Sequence, residues 1–456
     1  MTASQMRVDL LVVGFGKGGK TLAAAMGKRG FQVAMVERSE QMYGGTCINI
    51  GCVPTKALVH EADLRRPQDD AEDWYRHAVK NTSDLTGLMR GNNFRMLDTL
   101  DTVTVITGRA RFADPHTVEV TAGADRLTVR ADTIVINTGA EPVTGGFAIG
   151  GRVVTSTELI ATPELPRRLV VVGGGYVGVE FAAMYARFGA EVTVLDHAPH
   201  ILHREDRDVA TVAADILRGQ GITLVGEADV TDVTDLGSHA AVTYRQNGVS
   251  TTIDADAVLV ALGRKPATAD LGLDAAGVQV TATGAVAVDD HLRTSQRHIF
   301  AVGDVNGGPQ FTYVSLDDHR IVLDQLVGAG TRSTADRVAV PNTVFLTPPL
   351  ARVGLTETQA RTAGHAIRVA SKLVAQLAAS PRPKIVHETR GLMKFVVDAA
   401  TDQILGAALL CADAQELINL VALAMRHGIT ASELRDTIYT HPSSTEAFTE
   451  VLAGLA

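Results

Sequence analysis

Two stretches of the chain are written to one plan. RVDLLVVGFGKGGKTLAAAMGKRGFQVAMVE, near the N-terminus, reads as apolar strand, glycine turn, helix, second strand and closing acid; RRLVVVGGGYVGVEFAAMYARFGAEVTVLD repeats it further along. Gly14, Gly16 and Gly19 lead to Glu37 in the first, and Gly173, Gly175 and Gly178 to Asp196 in the second. In each unit the acid lies 23 positions after the first glycine. The first glycine permits a tight turn, the second lets backbone N–H groups approach a pyrophosphate, and the third lets helix and strand pack closely. The phosphates then sit at the positive end of the helix dipole, and the carboxylate accepts from an adenosine ribose. Two such units predict an α/β protein with two Rossmann-like, dinucleotide-binding domains. After Asp196 come His197, Ala198 and Pro199, with no arginine before Arg204. A carboxylate there favours a free 2′-hydroxyl, so NADH is expected over NADPH.

The 456 residues allow about three domains. A chain 46% hydrophobic and 20% charged is neither disordered nor fibrous. Its net charge of −9 offers no basic stripe for a phosphate backbone, so no nucleic-acid partner is expected. The run LLVVGFG breaks into glycines at once, which suits a buried strand better than a signal-peptide core. The most apolar long stretch, LGAALLCADAQELINLVALAM, is interrupted by Asp413 and Glu416, so no membrane span is expected. The expected location is the cytoplasm.

There are three cysteines, two of them in GGTCINIGCVPTK over 44–56. Cys47 and Cys52 admit three readings: a zinc clip, a structural staple, or a pair that takes up and releases electrons. In a regular helix, residues five apart have Cα atoms about 8–9 Å apart, whereas a disulfide needs them within about 7 Å. Bonding would therefore require a backbone break, for which Gly51 and Pro54 are suitable, before a helix through VPTKALVHEA whose N-terminus would lower a thiol pKa. The zinc reading lacks partner ligands, since Cys411 stands alone and His197, His200 and His203, spaced by threes, read as a surface loop. No metal-binding residue is picked out. A structural disulfide fits poorly with a reducing compartment, which favours the redox pair. Cys411, within ALLCA, reads as a small core residue.

Taken together, GGTCINIGCVPTK, both glycine units, INTGAEP, ALGRKP, IFAVGDV and the terminal HPSSTE resemble, in order from about residue 7 to residue 450, the FAD-dependent pyridine nucleotide–disulfide oxidoreductases. The resemblance implies electron passage from NAD(P)H through FAD to a Cys47–Cys52 redox disulfide and on to an acceptor. It implies FAD along the first unit, with Glu37 on the ribose and Gly45, Thr46 and Lys56 near phosphates and flavin. Ala110, Thr138 and Gly139 would line the cofactor, Asp304 would meet its ribityl or phosphate portion, and Phe311 and Thr312 would pass beside the ring. NADH would lie on the second unit near Gly263, with Tyr176 covering the flavin until nicotinamide displaces it. Glu180 would pair with Lys56, Cys52 would be the charge-transfer thiol and Cys47 the interchange thiol. His441 would be the acid–base catalyst oriented by Glu446, a role an imidazole near neutrality can fill. Because that histidine would serve the other subunit's cysteines, a homodimer is implied. VFLTPPLARVGL and GLMKFVVDAATDQILGAALL read as strands and AQELINLVALAMRHG as an amphipathic helix, which fits a C-terminal α+β dimerisation domain. The expected divisions are an FAD domain over 1–150, an NAD(P) domain over 151–266, a return segment completing the FAD domain over 267–340, and an interface domain over 341–456.

Within the family, the chain lacks the C-terminal cysteine pair of mercuric reductases. Asp317, Asp318 and His319 stand where dihydrolipoamide dehydrogenases carry small or apolar residues, and Leu350 where the family commonly has Glu. With MYGGTCINIGC and HREDRD, these stretches are most similar to the reactive-chlorine-resistance, mercuric-reductase-like flavoproteins. That similarity implies an oxidative-stress role with a small-molecule or metal-ion acceptor such as copper(II) or mercury(II), or a disulfide. The alternatives are a dihydrolipoamide dehydrogenase and, in another class, a cofactor-bound redox sensor with little turnover. The full set including His441 and Glu446 argues against the sensor.

Overall fold

A computed structural model describes residues 4–455. The first glycine unit folds as the strand Ser4–Val13, the helix Lys17–Gly27 and the strand Val33–Glu37. The strands pair in parallel, with Val13 opposite Val36. Leu11, Val12 and Val135 are fully buried, as expected of a parallel strand covered on both faces. Around this unit grows a seven-stranded sheet in the order Val103–Thr107, Val33–Glu37, Ser4–Val13, Asp125–Ile136, Thr117–Ala122, Arg109–Asp114. The short strand Ile299–Ala301 returns from far along the chain to pair in parallel with the end of Asp125–Ile136. That return carries the turn Gly303–Asn306 and the helix Thr312–Val327 over the first glycine turn.

The second unit repeats the geometry with Arg168–Val172, the helix Tyr176–Phe188 and Glu191–Leu195, Val172 opposite Leu195. Here the parallel sheet has five strands, flanked by Thr223–Val225 on one side and by Ala257–Val260 and Val153–Val154 on the other. Gly189, at φ +109°, ends the helix in the left-handed conformation that glycine adopts without penalty.

A five-stranded antiparallel sheet closes the fold in the order Asn342–Val344, Leu350–Gly354, Ile404–Leu410, Leu392–Asp398, Ile367–Leu373. Its central strands are buried on both faces. Leu392 and Leu410 join the core beneath the Tyr176–Phe188 helix, whereas Met393, Phe395 and Leu409 pack against the helix Ala414–Arg426 and the C-terminal Phe448. Lys394, in that strand, is 3% exposed and pairs with Asp206, Asp208 and Glu357, tying the second unit to the antiparallel sheet. A buried cation is tolerated only with such partners. Among the described residues no helix is long and apolar enough to cross a membrane.

Candidate active site

The first glycine turn is enclosed by protein. Gly14 has φ +99°, and a Cβ there would lie 2.4 Å from the carbonyl oxygen of Asn137. Asn137 Oδ1 accepts from Gly19 N at 2.9 Å and its Nδ2 donates to Val302 O at 2.7 Å. Ser315 Oγ accepts from Gly18 N at 3.0 Å. At the end of the unit, buried Glu37 accepts from Phe15 N at 2.9 Å, and burial raises its pKa. Gly108 N donates to Glu37 O, which sets the strand bearing Ala110 beside it. Gly45 crosses Gly16 so closely that a Cβ would sit 2.8 Å from the Gly16 Cα, while Gly139 faces only Thr46 Oγ1 at 3.9 Å. Thr138 is tethered to Ala267 O at 2.8 Å.

Further along this side-chain-free path stands Asp304. Burial raises its pKa and Asp318 adds to the rise, opposed by the cation Arg264. Arg264 donates to Ala140 O and is itself lowered by burial. A trough floored by glycine backbone, with the Glu37 carboxylate at one end and half-buried Asp304 and Arg264 at the other, fits the chemistry of FAD.

The cysteines lie on a broken helix, as disulfide geometry demands. The short helix Thr46–Asn49 stops at Ile50, Gly51 takes φ −133° and ψ −117°, and a new helix Cys52–Leu64 begins. Both sulfurs are free thiols here, Cys47 half-buried and Cys52 exposed. The mutual influence of the two neighbouring thiols is the leading cause of an opposed shift. Cys52 is lowered to about 6, with Thr312 and the Lys56 charge assisting, while Cys47 is pushed far up by its neighbour and by burial. Thr312 Oγ1 lies 3.7 Å from Cys52 Sγ, beside stacked Phe311 and Tyr313 rings. One turn after Cys52, Lys56 Nζ donates to Glu180 Oε1 at 2.5 Å, and Glu180 Oε2 accepts from Phe345 N at 3.0 Å. Glu180 and Tyr176 are one turn apart on their helix, so both fall on the face that meets the cysteine helix.

The second glycine turn is more open. Gly178 packs against the Gly173 carbonyl, but a Cβ at Gly175 or Gly263 would meet no atom within 4 Å. Asp196 is buried; Oδ2 accepts from Gly174 N at 2.5 Å and Oδ1 from Ala198 N at 2.7 Å. This cleft fits a second dinucleotide. Tyr176, the first residue of the helix, donates its hydroxyl to Glu205 Oε1 at 2.7 Å. At the far end of the chain, His441 Nδ1 and Glu446 Oε2 are 2.8 Å apart, and Glu446 Oε1 accepts from Ser443 N. The imidazole is 68% exposed, and among the described residues no hydrogen bond joins it to Cys47 or Cys52 of the same chain.

Cys411 is buried at 1% exposure, and His197 lies 80% exposed in the loop after Asp196. Sequence reasoning passed over Asn137, Ser315, Arg264 and Glu205. It also passed over Lys20, a residue 4% exposed whose amine donates to Gly44 O at 3.0 Å and whose pKa is lowered by burial to about 8. Asn137 and Arg264 lie inside INTGAEP and ALGRKP, so the motifs held a signal; Lys20 and Ser315 carry none, because each reads as an ordinary helix position.

A family model described as pyridine nucleotide-disulphide oxidoreductase matches residues 8–318, and that family's dimerisation domain matches residues 340–452. The chain is 45% identical over 450 residues to the probable pyridine nucleotide-disulfide oxidoreductase RclA of Escherichia coli K12, covering 98% of this chain and 99% of the relative. It is 33% identical over 457 residues to the dihydrolipoyl dehydrogenase of Geobacillus stearothermophilus, covering 96% and 94% respectively. Among solved structures, the Cu(II) complex of the HOCl-induced flavoprotein disulfide reductase RclA from Escherichia coli superposes with a TM-score of 0.92 at 43% identity, covering 99% of each chain. A second structure, of the HOCl-induced flavoprotein disulfide reductase RclA from Escherichia coli, superposes with a TM-score of 0.91 at 43% identity, covering 98% of this chain and 99% of that one.

Proposed function

We infer that this chain, which belongs to the FAD-dependent, NAD(P)H-using pyridine nucleotide–disulphide oxidoreductases, is a reductase of oxidative stress. In this reading it delivers electrons from the Cys47–Cys52 pair to a metal ion such as copper(II) or mercury(II), or to a small disulfide. The observation that carries the redox role is the placement of two cysteines on either side of the helix break at Gly51, with Thr312 3.7 Å from Cys52 and the Lys56–Glu180 pair one turn on. The lowered pKa of Cys52 and raised pKa of Cys47 agree with it. The acceptor class rests on likeness to RclA, whose structure is described as a Cu(II) complex.

FAD and NAD(P)H, when bound, supply the hydride and two-electron chemistry that no side chain has. The chain's own residues do the rest. Gly14, Gly16, Gly19, Gly45 and Gly139 let the first dinucleotide approach the backbone, with Glu37, Thr46, Ala110, Thr138 and Asp304 along its length. Gly173, Gly175, Gly178, Asp196 and Gly263 do the same for the second, and Tyr176 covers the nicotinamide side. Lys56, charge-paired with Glu180, holds a cation near the thiolate of Cys52. Cys47 keeps its proton at Sγ and, once deprotonated, is the sulfur that meets the acceptor. His441, its Nδ1 fixed by Glu446, moves that proton through Nε2. In the single chain this imidazole is turned outward, which supports a homodimer in which it serves the partner's cysteines. The corresponding divisions are an FAD domain over 1–150, an NAD(P) domain over 151–266, a return segment over 267–340 and an interface domain over 341–456.

The experiment is anaerobic titration with NADH, followed by challenge with copper(II) and lipoamide in parallel. A long-wavelength thiolate band reoxidised by copper(II) but not lipoamide is expected; rapid turnover with lipoamide would make the chain a dihydrolipoamide dehydrogenase instead. Cys52→Ser should abolish the band and turnover while FAD stays bound. A single stoichiometric reduction without turnover with any acceptor would favour a sensor.

A further inference from the structure

Glu205 occupies an unusual position. It sits in the HREDRD stretch between the second glycine unit and the helix Arg207–Gly219, only 8% exposed. One oxygen accepts from the Tyr176 hydroxyl at 2.7 Å, while the other, Oε2, is buried with no partner. The nearest cation is Arg352 on the strand Leu350–Gly354. Its Nε, buried and without a hydrogen-bond partner, forms an ion pair with Glu205 Oε1 at 3.7 Å, too long for a hydrogen bond, while its Nη1 donates to Arg204 O at 3.5 Å. A cavity of about 10 Å³, no larger than a single water needs, is bounded by Glu205, Arg352 and Lys394.

A buried carboxylate strongly disfavours losing its hydrogen bonds. If Tyr176 swings aside to admit a nicotinamide, Glu205 loses its one side-chain hydrogen-bond donor, and Arg352, already ion-paired with it at 3.7 Å, is placed to close to hydrogen-bond distance. The two arrangements, carboxylate to tyrosine and carboxylate to arginine, form a two-state element.

We propose that Glu205 latches Tyr176 over the nicotinamide side of the site and that Arg352 takes up the carboxylate when the tyrosine leaves, so that this pair sets the apparent affinity for NADH. The proposal rests on the reading of Tyr176 as the cover and adds the residues that hold it. Neither Glu205 nor Arg352 touches reacting atoms; both are positioning residues. When the competent state is a fraction of the whole, apparent affinity falls by that fraction. Weakening the closed state therefore tightens NADH binding, and weakening the open state loosens it.

The test is steady-state kinetics of the FAD-loaded enzyme with NADH as the varied substrate and ferricyanide as acceptor, which frees the readout from the physiological acceptor. Glu205→Ala should lower the NADH KM by about tenfold with kcat moved less than twofold, and Glu205→Gln, which keeps an acceptor oxygen, should fall between. Tyr176→Phe, which removes the latched hydroxyl, should shift KM in the same direction. Arg352→Met should raise KM by about threefold. An unchanged KM in Tyr176→Phe would overturn the latch, whereas an unchanged KM in Tyr176→Ala, which removes the ring, would overturn the cover reading itself. A shift in Tyr176→Phe with none in Glu205→Ala, or a shift of the same sign in Tyr176→Phe and Arg352→Met, would overturn the latch alone. The last comparison decides the matter even if Glu205→Ala fails to fold.

Discussion

The two glycine turns share a sequence plan and differ in what surrounds them. In the first, N–H groups of the helix start are already taken by Asn137 and Ser315, and Cβ atoms added at Gly14, Gly16, Gly18 or Gly19 would strike Asn137 or Ser315 within 3 Å. In the second, Gly175 and Gly263 look onto open space. The covering residues of the first come from Asn137 and from the 303–318 return, which wraps back over the turn after more than 160 intervening residues. The difference is one of residence. An enclosed turn suits a nucleotide that stays with the protein through many cycles, whereas an open turn suits one that must leave after each delivery of electrons.

The contrast breaks most sharply at the first turn. Gly14→Ala places a side chain at φ +99° and against backbone at 2.4 Å, where nothing flexible can yield. Protein carrying it should purify without FAD and show no turnover above background, read directly from the visible spectrum. A yellow, active Gly14→Ala enzyme would mean that the enclosure is looser than its geometry.

The glycines and closing acids were readable from the sequence because the unit is local: strand, turn, helix and acid fall within some thirty residues, and each glycine has its own steric reason. The broken helix between Cys47 and Cys52 was readable for a similar reason, since bond geometry forbids a continuous one. What encloses the first turn was not. Asn137 reaches Gly19 across 118 positions and Ser315 reaches Gly18 across 297, and no periodicity links such pairs. Lys394 shows the same limit. In LMKFVVD it reads as a solvent-facing break in an apolar strand, but it is buried because Asp206, Asp208 and Glu357 arrive from other elements. Glu205 was visible within HREDRD, yet its partner Tyr176 is set by the fold alone.

At the second turn the counterpart of Gly14, Gly173, is as confined, with a Cβ 2.6 Å from Ala261 O. The difference lies at the second glycine, where a Cβ at Gly16 would meet Asn137 Oδ1 at 2.5 Å and one at Gly175 would meet nothing within 4 Å. Gly175→Ala adds a methyl facing open space at the point where a pyrophosphate would approach the helix N-terminus. The enzyme should keep its FAD and fold, with the NADH KM raised about tenfold, a cost on the order of 1.4 kcal/mol in nucleotide binding. Equal loss of FAD from the Gly14 and Gly175 variants would erase the distinction between enclosed and open turns.

Between the two turns the cysteine helix meets the Tyr176–Phe188 helix through Lys56 and Glu180, so Cys52 senses both. In the two-electron-reduced enzyme the thiolate absorbance should rise with pH through a midpoint near 6, because Cys52 is the group whose pKa is lowered to about 6 while that of Cys47 is raised. Lys56→Met removes the cation that favours the thiolate and should move the midpoint upward by roughly half a unit to one unit. A midpoint that stays put in Lys56→Met would assign the lowered pKa to Cys47 and Thr312 alone.

The smallest effect concerns the residue after each closing acid. In the first unit Glu37 is followed by Arg38, in the second Asp196 by His197, whose ring is 80% exposed. The missing cation at 197, with the Asp196 carboxylate, is the reason to expect preference for NADH, since nothing there offsets repulsion of a 2′-phosphate. His197→Arg copies the first unit's pairing onto the second. An exposed charge gains little against water, about 0–1 kcal/mol, so kcat/KM with NADPH should rise only about threefold relative to NADH. That gain should shrink as salt is raised from about 0.01 M to 0.15 M, over which the screening length falls from about 30 Å to 8 Å. A gain that persists at high salt would mean that the arginine makes a direct contact with the phosphate, and the open turn would then be better shaped for NADPH than its acid implies.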